Sequence, residues 1–242
     1  FIKFMLRFTL FGIPIVVEPW FWLTMAFLGG GLSALQRNYP GDYLGVILFM
    51  MAGFVSVLVH ELGHALTGRN RGGGQVWIRL WALGGLAYQQ GGQLNRKNRC
   101  FMILAGPGAG LLLALVGIAS LFIIFPTPEA VLRLRYYLEY TNIFHQEMLG
   151  IFPDNRPIYG FLNSLIWVNV WWSLLNMIPI LPLDGGQFIE QIIKSRQKIH
   201  QIGMITGACC MLLLLYMGSI FGLLIFGFLT YQNFQSYKQA SY

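Results

Sequence analysis

The sequence predicts an α-helical membrane protein with several transmembrane helices and short β-strands at the membrane surface. Of its 242 residues, 56% are hydrophobic, 15% are aromatic and only 10% are charged. This composition is typical of integral membrane proteins and argues against a soluble domain. The apolar residues form long runs, and the two segments that interrupt or precede these runs are rich in β-branched and aromatic residues.

Six segments satisfy or approach the length of about 20 apolar residues that a transmembrane helix needs. They lie near Pro19–Leu35, Tyr43–Arg69, Asn98–Phe125, Ile158–Pro182, Ile199–Met217 and Ser219–Phe234. The first segment and the last two are short for a span. With six spans, both ends of the chain share one side of the membrane with the connections after the second and fourth spans.

The basic residues predict which side this is. Of the 16 Lys and Arg residues, the opposite side holds only Arg37, Arg133, Arg135 and Arg156, which leaves 12 on the side of the chain ends. Because cytoplasmic loops are enriched in Lys and Arg, both termini are expected in the cytoplasm of a multi-pass protein of the cell membrane. The net charge of +7 thus reports topology, and no nucleic-acid partner is expected.

Two segments on the cytoplasmic side read as strands. Leu6–Val17 and Gln75–Gln90 contain β-branched and aromatic residues with Gly or Gly-Pro interruptions, and they are too broken to span the membrane as helices. The longest polar connection, residues 126–157, falls on the outer side. No composition shift marks a second soluble domain, so residues 1–242 are expected to form one domain.

The second predicted span contains three ionisable residues within five positions, in the sequence HELGH. His60 and His64 are four residues apart, so a helix places both imidazoles on one face, with Glu61 beside them. In this HExxH arrangement two histidines bind zinc and the glutamate polarises a zinc-bound water. If these residues only formed local hydrogen bonds, their burial would be energetically costly, because uncompensated polar groups are destabilising in hydrocarbon. We therefore expect one zinc ion per chain.

A catalytic zinc usually has three protein ligands, so a third is needed. Thr67 and Asn70 stand where the HExxHxxGxxH pattern requires its glycine and third histidine. No histidine or acidic residue lies between His64 and Glu129. The candidates in the outer connection are on the wrong side of the membrane: Glu129, Glu139, His145, Glu147 and Asp154.

Membrane depth favours Asp184. His60 precedes Arg69 by nine residues, which places it roughly 13 Å inside the cytoplasmic end of its helix at about 1.5 Å per residue. Asp184 precedes Lys194 by ten residues, in a segment where prolines and glycines break the helix. Glu190 and His200 adjoin basic, solvated sequence, so Asp184 is the expected third ligand. Cys100, Cys209 and Cys210 lack metal-site spacing and are expected to be packed thiols.

HELGH (His60–His64), followed much later by NMIPILPLDGG (Asn176–Gly186), resembles the paired signatures of site-2 proteases, the intramembrane zinc metalloproteases. GIPIVV before the first span and AGPGAG opening the third also look like family features, and the likeness covers most of the chain. It implies a three-helix core of spans two to four, with a catalytic core of about residues 43–186. It also implies roles for five residues: zinc ligands His60, His64 and Asp184, catalytic base Glu61, and Asn176 in contact with a substrate or transition-state carbonyl.

The resemblance further implies an endopeptidase that opens towards the cytoplasm and cleaves single-span membrane proteins in or near their transmembrane segment. No PDZ-like or CBS domain interrupts residues 1–242, which indicates a minimal form of the family. Glu18 stands where the family often has histidine, and Gly110 where asparagine is common. These departures concern branch and substrate rather than the zinc site. The sequence identifies no regulatory partner.

Three points stay open at this level. Residues Gln75–Leu83 can be an ordinary interfacial hairpin, or an edge to which an extended substrate adds as a strand. A metal transporter is an alternative function, which the clustering of all predicted ligands in one leaflet disfavours. A catalytically silent relative that only binds membrane helices is another, which the intact Glu61 disfavours.

Overall fold

The structure is a computed structural model in which residues 5–37, 40–140 and 156–240 are described; His145, Glu147 and Asp154 lie outside these ranges. The strands are β1 (Leu6–Leu10), β2 (Ile13–Val17), β3 (Gln75–Trp81) and β4 (Gly84–Gln90). The helices are α1 (Pro19–Leu28), α2 (Gly31–Arg37), α3 (Pro40–Gly72), α4 (Arg96–Ile124), α5 (Thr127–Glu139), α6 (Pro157–Asn176), α7 (Asp184–Ile192), α8 (Arg196–Tyr216) and α9 (Ile220–Gln239). The predicted fold class, a helical membrane protein with a small sheet, is confirmed.

The four strands form one sheet in the order β1-β2-β3-β4. β1 and β2 form a hairpin whose turn residues, Phe11 and Gly12, both have positive φ (51° and 72°), the geometry that matches strand twist. β2 pairs in parallel with β3, and β3 pairs antiparallel with β4. The hypothesis that Gln75–Leu83 offers an edge is therefore wrong: β3 is internal, because the N-terminal hairpin adds to it from far along the chain. β4 is the edge strand on that side.

One face of the sheet packs on α3. Alternate residues of β2 and β3 are buried, as period-two side-chain alternation requires, among them Ile15 and Ile78. They form one apolar cluster with Phe21 of α1 and with Val57 and Leu62 of α3. This packing holds the sheet along the half of α3 that contains HELGH.

The helices α3, α4 and α6 pack against one another pairwise and form the predicted three-helix core. Within the described ranges, four helices are long and apolar enough to cross a membrane: α3, α4, α6 and α8. The expected first span is instead two helices, because the glycines at 29–31 end α1 after 10 residues. A helix of this length reaches about 15 Å, half of a bilayer core of about 30 Å. The total of six spans stays a prediction.

The expected fourth span also ends early. α6 stops at Asn176, residues 177–183 form a turn-rich loop that contains Pro179 and Pro182, and α7 begins at Asp184. The helix break that the prolines and glycines predict is thus confirmed. α7 packs on α4, and α8 and α9 form a helical hairpin beside it.

Candidate metal centre

The HELGH segment lies in the continuous helix α3 and begins twelve residues before the helix ends at Gly72. His60 and Glu61 are almost fully buried, with 2% and 5% of their surface exposed. Their burial follows from position: this half of α3 is enclosed by α4, α6 and the sheet. His60 and Glu61 therefore lie inside the protein, with the partly buried His64 beside them.

Asp184 completes the cluster from a distant part of the chain. Its Oδ2 lies 3.1 Å from His60 Nε2 and 3.3 Å from His64 Nε2, and the two Nε2 atoms are 3.1 Å apart. Three such contacts make a nearly equilateral triangle of ligand atoms. Ligand atoms of a tetrahedral zinc ion with bonds of about 2.0–2.1 Å are themselves separated by about 3.3 Å. The two nitrogens and one oxygen thus fit three corners of a zinc tetrahedron and leave the fourth corner open.

A hydrogen bond from the other ring nitrogen fixes the orientation of His64. Its Nδ1 donates a hydrogen bond of 2.8 Å to the backbone carbonyl of Met102 in α4. This bond sets the tautomer and directs Nε2 at the other two ligand atoms, an arrangement common among metal-binding histidines. A carbonyl leaves no side-chain signal in a sequence, so sequence analysis could not identify this contact.

Glycines allow α4 to approach the site closely. A Cβ added at Gly106 would lie 2.2 Å from His64 Nε2, and one at Gly63 would lie 2.3 Å from the carbonyl oxygen of Ala105. Gly110 similarly makes room for the hydroxyl of Ser173. Gly108, in contrast, faces open space, because a Cβ added there would have nothing within 4 Å. The AGPGAG segment is therefore a helix-packing surface that also leaves room for the His64 ring.

Strand β4 covers Glu61. A Cβ added at Gly85 would lie 2.3 Å from Glu61 Cγ and 2.7 Å from Oε1, and the backbone of Ala87 also faces the carboxylate. Gly84 lies against the ring of Trp172 in α6 in the same way. The two glycines at the start of β4 therefore allow this strand to lie close to the Glu61 carboxylate.

An ion pair connects the sheet to the start of α1. Glu18 is buried, its backbone N–H donates to the Leu80 carbonyl (2.9 Å), and its carboxylate accepts hydrogen bonds from the Arg79 guanidinium. The hydrogen bond and charge of Glu18 raise the pKa of Arg79 above its ordinary value. The buried Glu18 carboxylate thus has a cationic partner on β3.

The other candidate residues do not join the cluster. Glu190 is exposed near the end of α7, and His200 forms a hydrogen bond with Asn233 of α9. Asn176 lies at the end of α6 and donates to the Trp172 carbonyl one turn earlier (2.9 Å). Within the described part of the chain, His60, His64 and Asp184 form the group of metal-binding side chains that converge on one point.

Comparison with known proteins places this centre in a family. The model of peptidase family M50 matches residues 48–214, which include His60, Glu61, His64 and Asp184. The sll0528 protein of Synechocystis sp., a putative zinc metalloprotease, is 30% identical over 76% of this chain and 43% of its own length. Zinc metalloprotease MJ0392 of Methanocaldococcus jannaschii is 26% identical over 87% of this chain and 52% of its own length. The chain thus spans about half the length of these relatives.

The fold has a solved counterpart. The site-2 protease from Methanocaldococcus jannaschii superposes with a TM-score of 0.60, covering 97% of this chain and 95% of that one, at 23% identity. This likeness shows the fold: a bundle of apolar helices with a small sheet, as expected of an integral membrane protein. The family match covers well over half of the chain and includes the convergent His, His and Asp donors. The chain therefore belongs to peptidase family M50, the family of the site-2 proteases.

Proposed function

We propose that this chain is an intramembrane zinc endopeptidase in which His60, His64 and Asp184 hold the metal and Glu61 is the catalytic base. The observation that carries the proposal is the triangle of ligand atoms, 3.1–3.3 Å on each side, with a buried glutamate adjoining it. The names of the relatives support zinc as the metal. When bound, zinc lowers the pKa of a ligated water and acts as a Lewis acid on a carbonyl.

The position of Glu61 suits it to transfer the proton during peptide hydrolysis. Its side chain is held between α3 and the backbone of β4, so its carboxylate has little freedom to leave the site. We infer that Glu61 accepts a proton from the attacking water and returns it to the leaving amine, as general acid–base catalysis requires. Asn176 is proposed to donate to the substrate carbonyl, with the N–H that its bond to the Trp172 carbonyl leaves free.

The outer edge of β4, which pairs with no further strand among the described residues, is the proposed docking site for the substrate. A helical substrate hides its carbonyls in its own hydrogen bonds, so the scissile segment has to become extended before attack. An extended segment can add to an edge strand by backbone hydrogen bonds. Because Gly85 lies directly against Glu61, a strand added to this edge would pass next to the catalytic base. This assigns to β4 the docking role that the sequence suggested for residues Gln75–Leu83.

The proposed substrates are single-span membrane proteins, and the proposed opening of the site is cytoplasmic. The proposal of orientation rests on the unequal distribution of Lys and Arg between the two sides. The proposed route for water is the loop at residues 177–183, where the helix is broken and all residues except Ile180 are half-buried or exposed. A transporter would need further metal-binding groups along a path; within the described residues, one such group is found.

Zinc content tests the assignment without a known substrate. We expect close to one zinc per chain in purified wild type, in Glu61→Gln and in the control Glu190→Gln, which changes an exposed carboxylate of α7. His60→Ala and Asp184→Ala should lose zinc. Wild type that stays free of zinc after zinc is added back would contradict the proposal.

Cleavage tests the role of Glu61. Membrane proteins that accumulate in cells carrying Glu61→Gln, relative to wild type, are the candidate substrates. One of them, reconstituted with the purified protein, should be cut by wild type and by Glu190→Gln but not by Glu61→Gln. Equal cleavage by wild type and Glu61→Gln would exclude Glu61 as the base.

A further inference from the structure

A polar side chain of the last helix is attached to the loop that carries Asp184. α9 is largely exposed, and Asn233 is one of its two buried residues, with 2% of its surface exposed. Its amide Nδ2 donates to the carbonyl of Leu181 (2.8 Å), in the 177–183 loop, and to the carbonyl of Leu229 in its own helix (2.9 Å). A buried amide is costly unless it is paired, and here both of its N–H donors are used.

The acceptor side of the same amide is also used. His200 of α8 lies with Nδ1 3.2 Å from Asn233 Oδ1, so the Nδ1–H tautomer donates to it. Gly203, one turn along α8, allows the approach: a Cβ there would lie 2.6 Å from Asn233 Oδ1. The amide is thus fixed from two sides, by α8 and by the loop.

The loop transmits its position to Asp184 through tight backbone packing. Leu181 precedes Asp184 by three residues. A Cβ at Gly185 would lie 2.1 Å from the Met177 carbonyl oxygen, and one at Gly186 would lie 2.4 Å from the Ile180 carbonyl carbon. The first turn of α7 therefore rests directly on the backbone of the loop. With no space between them, a shift of the loop at Leu181 displaces the Asp184 carboxylate as well.

We propose that Asn233 is a positioning residue for the metal centre, and that His200 supports it. Through the Leu181 carbonyl, Asn233 holds the loop so that Asp184 Oδ2 closes the ligand triangle with the two histidines. The α8–α9 hairpin thereby contributes to metal affinity although none of its residues touches the triangle. This role rests on the proposed zinc site and adds to it a contribution from outside the three-helix core.

The test compares two buried asparagines. Asn233→Leu removes the bond to the loop, and Asn163→Leu is the matched control. Asn163 is fully buried in α6 and also donates to two backbone carbonyls, those of Tyr137 and Tyr140. It lies 13 residues from the Asn176 end of α6, about 20 Å along the helix. The readouts are zinc affinity by chelator competition, the visible spectrum of the Co²⁺-loaded protein, and thermal stability.

We expect Asn233→Leu to weaken zinc binding by about tenfold and to change the Co²⁺ spectrum. This is the lower end of the loss of about 10–100-fold that follows removal of a group bonded directly to a metal ligand, because Asn233 acts through the Leu181 carbonyl. Asn163→Leu should lower thermal stability but keep wild-type zinc affinity. Unchanged affinity and spectrum in Asn233→Leu would overturn the proposal, and so would an equal loss of affinity in both variants. Wild type without zinc would instead overturn the proposed function, and the positioning role with it.

A second pair of variants keeps the test valid if Asn233→Leu does not fold. His200→Leu removes the donor to Asn233, whereas His200→Asn keeps an N–H near the position of Nδ1. We expect a smaller loss of zinc affinity in His200→Leu, on the order of a few-fold, and recovery in His200→Asn. If His200→Leu binds zinc like wild type, or if His200→Asn does not recover, the support from His200 is refuted.

Discussion

The substitution Gly85→Ala tests whether β4 sets the position of the Glu61 carboxylate, the proposed catalytic base. The three atoms nearest to a Cβ at this position all belong to Glu61, the closest being Cγ at 2.3 Å. Ordinary van der Waals contact begins at 3.4 Å, so Glu61 or the strand has to move by about 1.1 Å. Gly85 does not have a positive φ, so alanine brings no backbone strain of its own.

A displacement of this size is expected to lower the rate of catalysis strongly without preventing the protein from folding. A misplacement of about 1 Å in an active site can cost about 100-fold in rate, which is about 2.7 kcal/mol in activation free energy. The proposed zinc ligands His60, His64 and Asp184 are not among the nearest neighbours of the new methyl group. We therefore expect Gly85→Ala to lower kcat by about 100-fold while zinc content stays at the wild-type level.

The assay is the rate of cleavage of a reconstituted single-span substrate that wild type cuts and Glu61→Gln does not. Gly108→Ala is the matched control, because a Cβ at that position meets nothing within 4 Å. Wild-type cleavage by Gly85→Ala would refute the inference that β4 constrains Glu61. Loss of zinc in parallel with activity would show that the methyl group disturbs the whole centre rather than the base.

Three further predictions concern the surroundings of the centre. Gly106→Ala places a Cβ 2.2 Å from His64 Nε2, so zinc affinity in chelator competition should fall at least about tenfold, whereas Gly108→Ala should bind like wild type. Glu18→Gln removes the charge that pairs with Arg79 and should lower the free energy of unfolding only slightly, because the guanidinium is exposed and its pairing is screened by water. A double-mutant cycle with Arg79→Gln in denaturant should be non-additive, and additivity would contradict the pairing. Acidification should release zinc, because histidine and carboxylate ligands bind metal only when deprotonated; zinc retained unchanged after dialysis at low pH would contradict this ligand set.

Much of the fold was predictable because its signals are local. The length and apolarity of the segments around α3, α4 and α6 indicate membrane helices. The β-branched and aromatic residues of Leu6–Val17 and Gln75–Gln90 indicate strands. The two prolines before Asp184 indicate the end of a helix. Each of these properties depends only on residues that are neighbours in the chain, so it can be predicted from the sequence.

The order of the strands was not predictable in the same way. Whether Gln75–Trp81 is an edge depends on whether the hairpin at Leu6–Val17 reaches it, and the two are separated by the whole of α1 to α3. The alternation of β3 is the same in both cases. The structure decides that β2 occupies its free side and that β4 is the edge beside Glu61.

For the centre itself, the sequence determined the chemistry and the tertiary structure decided the geometry. Helical spacing alone places His60 and His64 on one face with Glu61 adjacent, and membrane depth singles out Asp184. The sequence did not indicate three contacts around the centre. These are the Met102 carbonyl with His64, the Gly85 backbone with Glu61, and the Asn233 amide with the loop that precedes Asp184. They act through backbone atoms or through the absence of a side chain, and only long-range packing brings such groups to a site.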